Sequence, residues 1–160
     1  MGAASARFKW PTRGIGYADA VLLLPPKPII ARMSAAPDHA VILFAHGARD
    51  PRWARALEAL AAAVRARLPQ AHVELAFLEL QPPTLDAALA TAAQAGATTI
   101  DVMPVFWASG GHVTHDVPPL LDAFRTAHPH VQLTLRPVLS ELPGMTEFIA
   151  AAVAGFAKPK

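Results

Sequence analysis

An alternation of strand-like and helix-like segments, which begins near residue 40, constrains the fold of this chain more than any other feature. Residues 40–45 are a continuous apolar run typical of a buried strand, and apolar side chains then recur at helical spacing from Trp53 to Leu68. The same alternation continues to residue 156. It predicts strands at residues 40–45, 72–78, 99–106 and 131–138, and helices at residues 51–68, 84–95, within 113–127, and at 145–156.

Strands that alternate with helices predict an α/β fold, in which a parallel sheet carries helices on both faces as a three-layer sandwich. Right-handed crossovers favour the strand order 2-1-3-4 for four strands. Asp50 is predicted to cap the first helix, with Pro51 as its first residue. Pro104 cannot donate a hydrogen bond to a neighbouring strand, so it is expected near the end of the third strand or at a bulge.

The composition predicts a soluble chain of one domain and excludes several kinds of site. Of the 160 residues, 53% are apolar and 16% are charged, and no apolar stretch approaches the ~20 residues that a membrane span needs. The sequence contains no cysteine, which excludes disulfides, thiolate zinc sites and cysteine-held iron–sulfur clusters. Any metal ion must therefore be held by His, Asp, Glu, water or a bound ligand.

The basic character of the chain belongs to its two ends. The isoelectric point is about 9.4, yet residues 38–157 carry seven Arg and no Lys against eleven Asp and Glu, a net charge of −4. A basic face for nucleic acid on the folded domain is therefore not expected. Residues 1–37 show no sustained period and are predicted to be a disordered leader or a mis-assigned start, with Met33 as a sensible N-terminus. Residues 38–157 are then a single domain.

Two histidines follow strands that are neighbours in the predicted sheet. His46 comes directly after the first strand, and His112 lies just past the third. Because parallel strands end at the same edge and lie ~4.8 Å apart, both imidazoles are expected at one cleft, where they could hold a divalent transition metal ion. Gly47, Gly110 and Gly111 leave space there for a large ligand. Either histidine alone is typical of a hydrogen-bonded loop residue, so the prediction rests on the pair.

Charged residues near the same edge are further candidates. Glu79 follows the second strand, and four roles are open for it. It is predicted to be a third metal ligand, a residue that orients His46, a proton acceptor, or an ordinary solvated carboxylate. Arg49 and Arg52 offer cations that suit substrate carboxylates, and a helix-surface role is the alternative for them.

The remaining histidines support less specific predictions. His115 lies three residues after His112 and is expected to be an exposed helix residue, with a secondary metal contact as the alternative. Asp116, together with Pro118, indicates a helix N-terminus in this region. Four others are predicted to be surface residues without a convergent partner: His39, His72, His128 and His130.

Three sequence blocks carry a resemblance to a known family. They are HGARDPRW at residues 46–53, FLELQPPTLDAAL at residues 77–89 and MPVFWASGGHVTHDVPPLL at residues 103–121. They resemble the class II tetrapyrrole chelatases, and in particular the small single-domain sirohydrochlorin cobaltochelatases and ferrochelatases. The resemblance covers about residues 40–155 with the blocks in the family's order.

The resemblance implies a chelatase-like, flavodoxin-like domain that is cytoplasmic and acts in cobalamin or siroheme biosynthesis. His46 and His112 match the family's metal-binding histidines, and with Glu79 they are the expected catalytic residues. The divalent ion is a substrate, cobalt first with iron or nickel as alternatives, and no permanently bound cofactor is expected. Small family members are thought to pair as homodimers around one tetrapyrrole. The expected partners are therefore the ion, sirohydrochlorin and a second copy, without nucleic acid or a membrane.

The resemblance also implies how the macrocycle is held. Arg49 and Arg52 would orient its carboxylates, together with backbone N–H groups around Gly110 and Gly111. These four residues form the expected substrate-binding set.

Aromatic residues after the third strand are candidates for an apolar wall. Phe106 and Trp107 are expected to stack on the macrocycle. The chain departs from the family pattern at two positions, since Ala48 stands where the first block commonly has serine and Trp107 replaces a more usual aliphatic residue.

Two other functions fit parts of the pattern. A non-enzymatic metal carrier would use the same histidine pair, although the glycines and arginines favour a large anionic ligand. A histidine phosphatase would use a histidine at a strand end as its nucleophile, preceded by arginine. Here the preceding residue is Ala45, which argues against that chemistry.

Overall fold

The computed structural model describes residues 37–50, 52–108 and 110–156, without the side chains of His112 and Val113. Apart from Pro37, the predicted leader lies outside the described residues, as does Pro51. Residues 37–145 belong to one compact unit and residues 146–156 to a second. The prediction of a single domain over residues 38–157 stays a prediction. None of the described helices is both long enough and apolar enough to cross a membrane.

A parallel sheet of four strands is formed by the described part of the chain, and its order is the predicted 2-1-3-4. Phe44 lies beside Ala76 on one side and beside Pro104 on the other, so the first three strands end at one edge. Pro104 is the last residue of its strand, as expected from its missing donor. The strands are β1, His39–Ala45; β2, His72–Phe77; β3, Thr99–Pro104; and β4, Gln132–Leu135.

Four α-helices and one 3-10 turn are found among the described residues. Their bounds agree with the predictions within a few residues, except that the third helix begins at Gly111, ahead of the predicted range. Asp116 and Pro118 therefore lie inside this helix and do not mark its start. The helices are α1, Arg52–Arg67; α2, Leu85–Gln94; α3, Gly111–Ala127; and α4, Met145–Phe156, with the 3-10 turn at Leu139–Glu141.

Helices cover both faces of the sheet, as the alternation predicted. Alternate residues of each strand point to opposite faces. On one face, Ile42 and Phe44 of β1 pack in a core with Leu89 of α2 and Leu121 of α3. On the other face, Leu43 and Val73 pack with Ala61 of α1. The carboxyl ends of β2, β1 and β3 are thereby fixed by hydrophobic packing on both faces of the sheet.

An ion-pair cluster joins strands and corrects one prediction. Asp101 of β3 accepts hydrogen bonds from His39 (Nε2 to Oδ2, 3.0 Å) and from Arg136 (Nε to Oδ1, 2.9 Å). Partial burial raises the pKa of Asp101, but these hydrogen bonds outweigh it and hold the pKa below its ordinary value. His39 therefore has a partner, contrary to the prediction, because the sheet register brings β1 and β3 together.

His72 also has a partner, Glu74 on the same strand, with 3.2 Å between Nε2 and Oε2. Residues two apart in a strand share a face, so this pair was visible in the sequence.

Candidate active site

His46 is exposed directly beyond the end of β1, and its backbone is tied to the segment after β2. The N–H of Leu78 donates to the carbonyl of Ala45 (2.8 Å), and the N–H of Glu79 donates to the carbonyl of His46 (3.0 Å). The β1–β2 ladder therefore continues past both strands. The chains that carry His46 and Glu79 leave the sheet side by side.

Gly47 makes this close approach possible. Its φ is +88°, and a Cβ built there would lie 2.1 Å from the carbonyl oxygen of Glu79. A side chain at this position would meet both a disfavoured backbone conformation and a steric clash. The prediction that Gly47 leaves space for a large ligand is wrong, because the backbone after β2 occupies that space.

The His46 imidazole packs on the segment that follows β3. Its ring centroid lies 4.5 Å from that of Phe106, with the planes inclined by 60°. Phe106 belongs to the connection between β3 and α3, and His112 is the second residue of α3. The two histidines thus belong to the segments that follow two neighbouring strands, His46 directly after β1 and His112 in the first turn of the helix after β3. The sharing of one metal ion by their imidazoles stays a prediction.

Glu79 lies at the same edge and is exposed. Among the described residues no hydrogen bond joins its carboxylate to the His46 imidazole, and no group of three or more His, Asp or Glu side chains is arranged around a metal position. The next residue, Leu80, has a positive φ of 69° and is 53% exposed. The roles predicted for Glu79 stay predictions.

Asp50 pairs with Arg52, and this pairing distinguishes Arg52 from Arg49. An oxygen of Asp50 accepts from the backbone N–H of Arg52 (2.9 Å), which is the predicted helix cap. The same carboxylate also accepts from the guanidinium, with Nη2 to Oδ2 at 2.6 Å. The side-chain hydrogen bond from Arg52 lowers the pKa of Asp50, and the bond to Asp50 raises the pKa of Arg52. Arg49 is exposed, and no described side chain pairs with it.

The start of α3 is open. Within the described part of the chain, a Cβ at Gly110 or Gly111 would meet nothing within 4 Å, and the role predicted for these glycines in binding a ligand stays a prediction. His115 is exposed, as expected, and its Nδ1 donates to the carbonyl of Gly111 (2.7 Å). A neutral His115 therefore carries its lone pair on Nε2.

The two aromatic residues predicted to form an apolar wall differ in their exposure to solvent. Phe106 is only 6% exposed and belongs to the core with Phe44, whereas Trp107 is 50% exposed. The prediction that Phe106 stacks on a macrocycle is wrong, because its ring points into the core. Val102, Pro104 and Phe106 continue one alternation of buried positions, a signal in the sequence that the wall prediction overlooked. Trp107 stays a candidate.

The remaining two histidines also have ring contacts. His128 stacks on Phe124 with centroids 4.4 Å apart, and His130 lies edge-on to His128 at 6.1 Å. They were predicted to lack a convergent partner, and that prediction is wrong. The N–H of Val131 donates to the carbonyl of His128 just before β4 begins, so this cluster lies at the opposite edge of the sheet from His46.

A family model described as CbiX matches residues 40–155. This range includes every strand but the first residue of β1, both histidines and the three sequence blocks. The chain belongs to the CbiX family.

Relatives of this CbiX chain include metal chelatases. It is 38% identical over 89 residues to a sirohydrochlorin cobaltochelatase of Methanocaldococcus jannaschii, an alignment that covers 56% of this chain and 62% of the relative. It is 27% identical over 95 residues to a sirohydrochlorin ferrochelatase of Bacillus subtilis, covering 59% of this chain and 36% of the relative. The chain spans about three fifths of the length of its first three curated relatives.

A solved structure has the same fold over a larger share of its length. The crystal structure of a CbiX protein from Marinobacter aquaeolei VT8 superposes with a TM-score of 0.63 at 31% identity. The match covers 72% of this chain and 94% of that one. The CbiX fold is therefore present here with its parallel sheet complete.

Proposed function

We propose that this chain is a sirohydrochlorin metal chelatase, a lyase-class enzyme that inserts a divalent metal ion into the macrocycle. The observation that carries the proposal is the CbiX match over residues 40–155, which includes His46, directly beyond β1, and His112, in the first turn of α3. Relatives that bear the names sirohydrochlorin cobaltochelatase and ferrochelatase support the substrate.

The chemistry of metal insertion explains the residues required. The ion must lose water, and two pyrrole N–H protons must leave the macrocycle. Neutral imidazoles of His46 and His112 would replace part of the hydration of the ion and hold it over the ring. Glu79, whose backbone is bonded to His46, would accept a proton, as would either imidazole once the ion has passed to the macrocycle.

Sirohydrochlorin carries several carboxylates, and two features of the edge suit them. Arg49 is an exposed cation without a described partner. The backbone N–H groups at the start of α3, around Gly110 and Gly111, are open to a ligand and lie at the positive end of the helix dipole. Trp107 offers an exposed aromatic face for the ring.

Because Arg52 is paired with Asp50 and Arg49 is not, substitutions of the two arginines are expected to have different effects on substrate binding. Arg49→Ala is expected to raise KM for sirohydrochlorin about tenfold, since a charge-assisted contact to a carboxylate is lost. Arg52→Ala is expected to change KM by about twofold or less, because the Asp50 carboxylate already offsets the guanidinium. Steady-state kinetics at low and high salt measure both, and the Arg49 effect should shrink at high salt. Equal effects of the two substitutions would contradict the assignment.

The metal, the assembly and the compartment are further parts of the proposal. Cobalt is the proposed ion, with iron and nickel as alternatives, because imidazole ligands do not separate these ions by themselves. We also propose a cytoplasmic homodimer that encloses one tetrapyrrole, which fits an alignment that covers only 36% of the longer Bacillus subtilis ferrochelatase. No permanently bound cofactor enters the proposed reaction.

An absorbance assay tests the proposal against the carrier alternative. Purified protein is mixed with metal-free sirohydrochlorin and with Co²⁺, Fe²⁺ or Ni²⁺ in turn, and the spectral change on insertion is followed. The expected result is multiple turnovers, faster than the spontaneous reaction with at least one ion. Metal binding with a rate no faster than the spontaneous one would identify a carrier and overturn the proposal.

A further inference from the structure

We infer that Phe106 is a positioning residue that sets the orientation of the His46 imidazole before a metal ion arrives. The inference rests on the proposed function for its consequence in catalysis. It rests on ring geometry for the contact itself.

Three aromatic rings connect the core to the exposed histidine. Phe44 is fully buried, and its ring meets that of Phe106 edge-on, with centroids 5.5 Å apart and planes at 84°. The Phe106 ring also meets the His46 imidazole, with centroids 4.5 Å apart. Edge-on and tilted pairs at these distances are favourable arrangements of aromatic rings. His46 is therefore exposed on one side and supported by the core on the other.

Backbone hydrogen bonds hold both partners of this contact. Around Phe106, the N–H of Val105 donates to the carbonyl of Phe44 (2.7 Å), and the N–H of Leu139 donates to the carbonyl of Phe106 (2.9 Å). On the other side, the carbonyl of His46 accepts from Glu79. Since neither backbone is free to shift, the ring contact restricts the side-chain torsions of His46.

A restricted imidazole binds an ion at a smaller entropic cost than a freely rotating one. The cost of ordering a side chain is met when the protein folds, so it does not reduce the affinity for the ion. This role follows from the burial of the Phe106 ring between the core and the His46 imidazole.

The chain contains a matched control for this arrangement. Phe124 is 9% exposed, belongs to the same core as Phe106, and stacks on a histidine, His128, with centroids 4.4 Å apart. This second pair lies at the opposite edge of the sheet. Phe124→Leu therefore removes the same chemical contact and a similar amount of core packing away from the proposed metal position.

The test compares Phe106→Leu with Phe124→Leu in the full chain. Co²⁺ affinity is measured without sirohydrochlorin, from the visible absorbance of the bound ion. Phe106→Leu is expected to weaken binding about threefold to tenfold, the range that corresponds to one aromatic pair, and to raise KM for the metal while KM for sirohydrochlorin stays unchanged. Phe124→Leu should leave both quantities within about twofold of wild type, since its contact is remote.

A spectroscopic measurement separates this inference from the proposed function. In NMR spectra of metal-free protein, the His46 ring signals, assigned by their loss in His46→Ala, should carry a ring-current shift that disappears in Phe106→Leu and persists in Phe124→Leu. Unchanged His46 signals in Phe106→Leu, or equal losses of Co²⁺ affinity in the two variants, would overturn the inference. Absence of turnover by the wild type, with the ring-current shift present, would overturn the proposed function alone.

Discussion

His46→Ala and His112→Ala are each expected to reduce metal insertion about a hundredfold or more, the scale on which positioned catalytic groups act. His46 lies directly beyond β1, and His112 lies in the first turn of α3, which follows β3. If the two imidazoles hold the same ion, either loss leaves a single protein ligand, and the remaining one cannot keep the ion over the macrocycle. The rate of the absorbance change at saturating sirohydrochlorin and varied Co²⁺ measures this effect.

His130→Ala is the matched control for these substitutions. His130 is exposed and lies near the start of β4, at the other edge of the sheet, so its loss should leave both the rate and Co²⁺ affinity at the wild-type value. Circular dichroism and thermal unfolding should show folded protein for all three variants. A folded His46→Ala protein that retains more than about a tenth of the wild-type rate would rule out a direct role for this imidazole.

Gly47→Ala is expected to destabilise the fold by about 3 kcal/mol, through a positive φ that disfavours alanine and a clash with a fixed carbonyl. The ideal Cβ would lie 2.1 Å from the Glu79 oxygen, and this is backbone, which cannot rotate away as a flexible side chain would. Relief requires the connections after β1 and β2 to separate, which would break the bond between Glu79 and His46. Chemical denaturation should show the loss of stability, and the insertion assay should show a loss of activity even where the variant is folded.

Two other glycines separate the causes of this effect. Gly144 has a similar φ of +82° but nothing within 4 Å of its ideal Cβ, so Gly144→Ala should cost only about 1 kcal/mol for the backbone conformation. Gly110 has a negative φ of −91° and open space, so Gly110→Ala should be nearly neutral for stability. A Gly47→Ala variant no less stable than Gly144→Ala would show that the two connections are free to move apart.

Local patterns were sufficient to predict the sheet but not all of its connections. Period-two and helical spacing locate the strands and helices, and the handedness of crossovers then leaves the observed order. The start of α3 was misplaced because Asp116 and Pro118, which together indicate a first helical turn, lie inside this helix. Gly110 in an extended conformation is the actual N-cap, and a glycine without a capping side chain gives a weaker signal than Asp116 and Pro118.

Partners of charged and aromatic side chains were harder to predict than positions in the sheet. The pairing of His39 with Asp101 depends on the register of two strands that are 62 residues apart in sequence, which periodicity does not determine. The engagement of Arg52 by Asp50 is local, yet a helix cap does not reveal that its carboxylate also holds a guanidinium. The contact between His46 and Phe106 was also hard to predict. It depends on the pairing of β1 with β3, and on the path of the chain for two residues beyond Pro104, the last residue of β3.

The backbone bonds that join His46 to Glu79 restrict how this edge can be altered by evolution or by engineering. A residue inserted after β1 would move the first histidine out of step with β2, so neither of these two connections can change length independently. At the start of α3, by contrast, Gly110 and Gly111 face open space. If the proposed function holds, side chains added at these two glycines are the easiest way to fit a macrocycle of another size or shape, with the contact between Phe106 and His46 left unchanged.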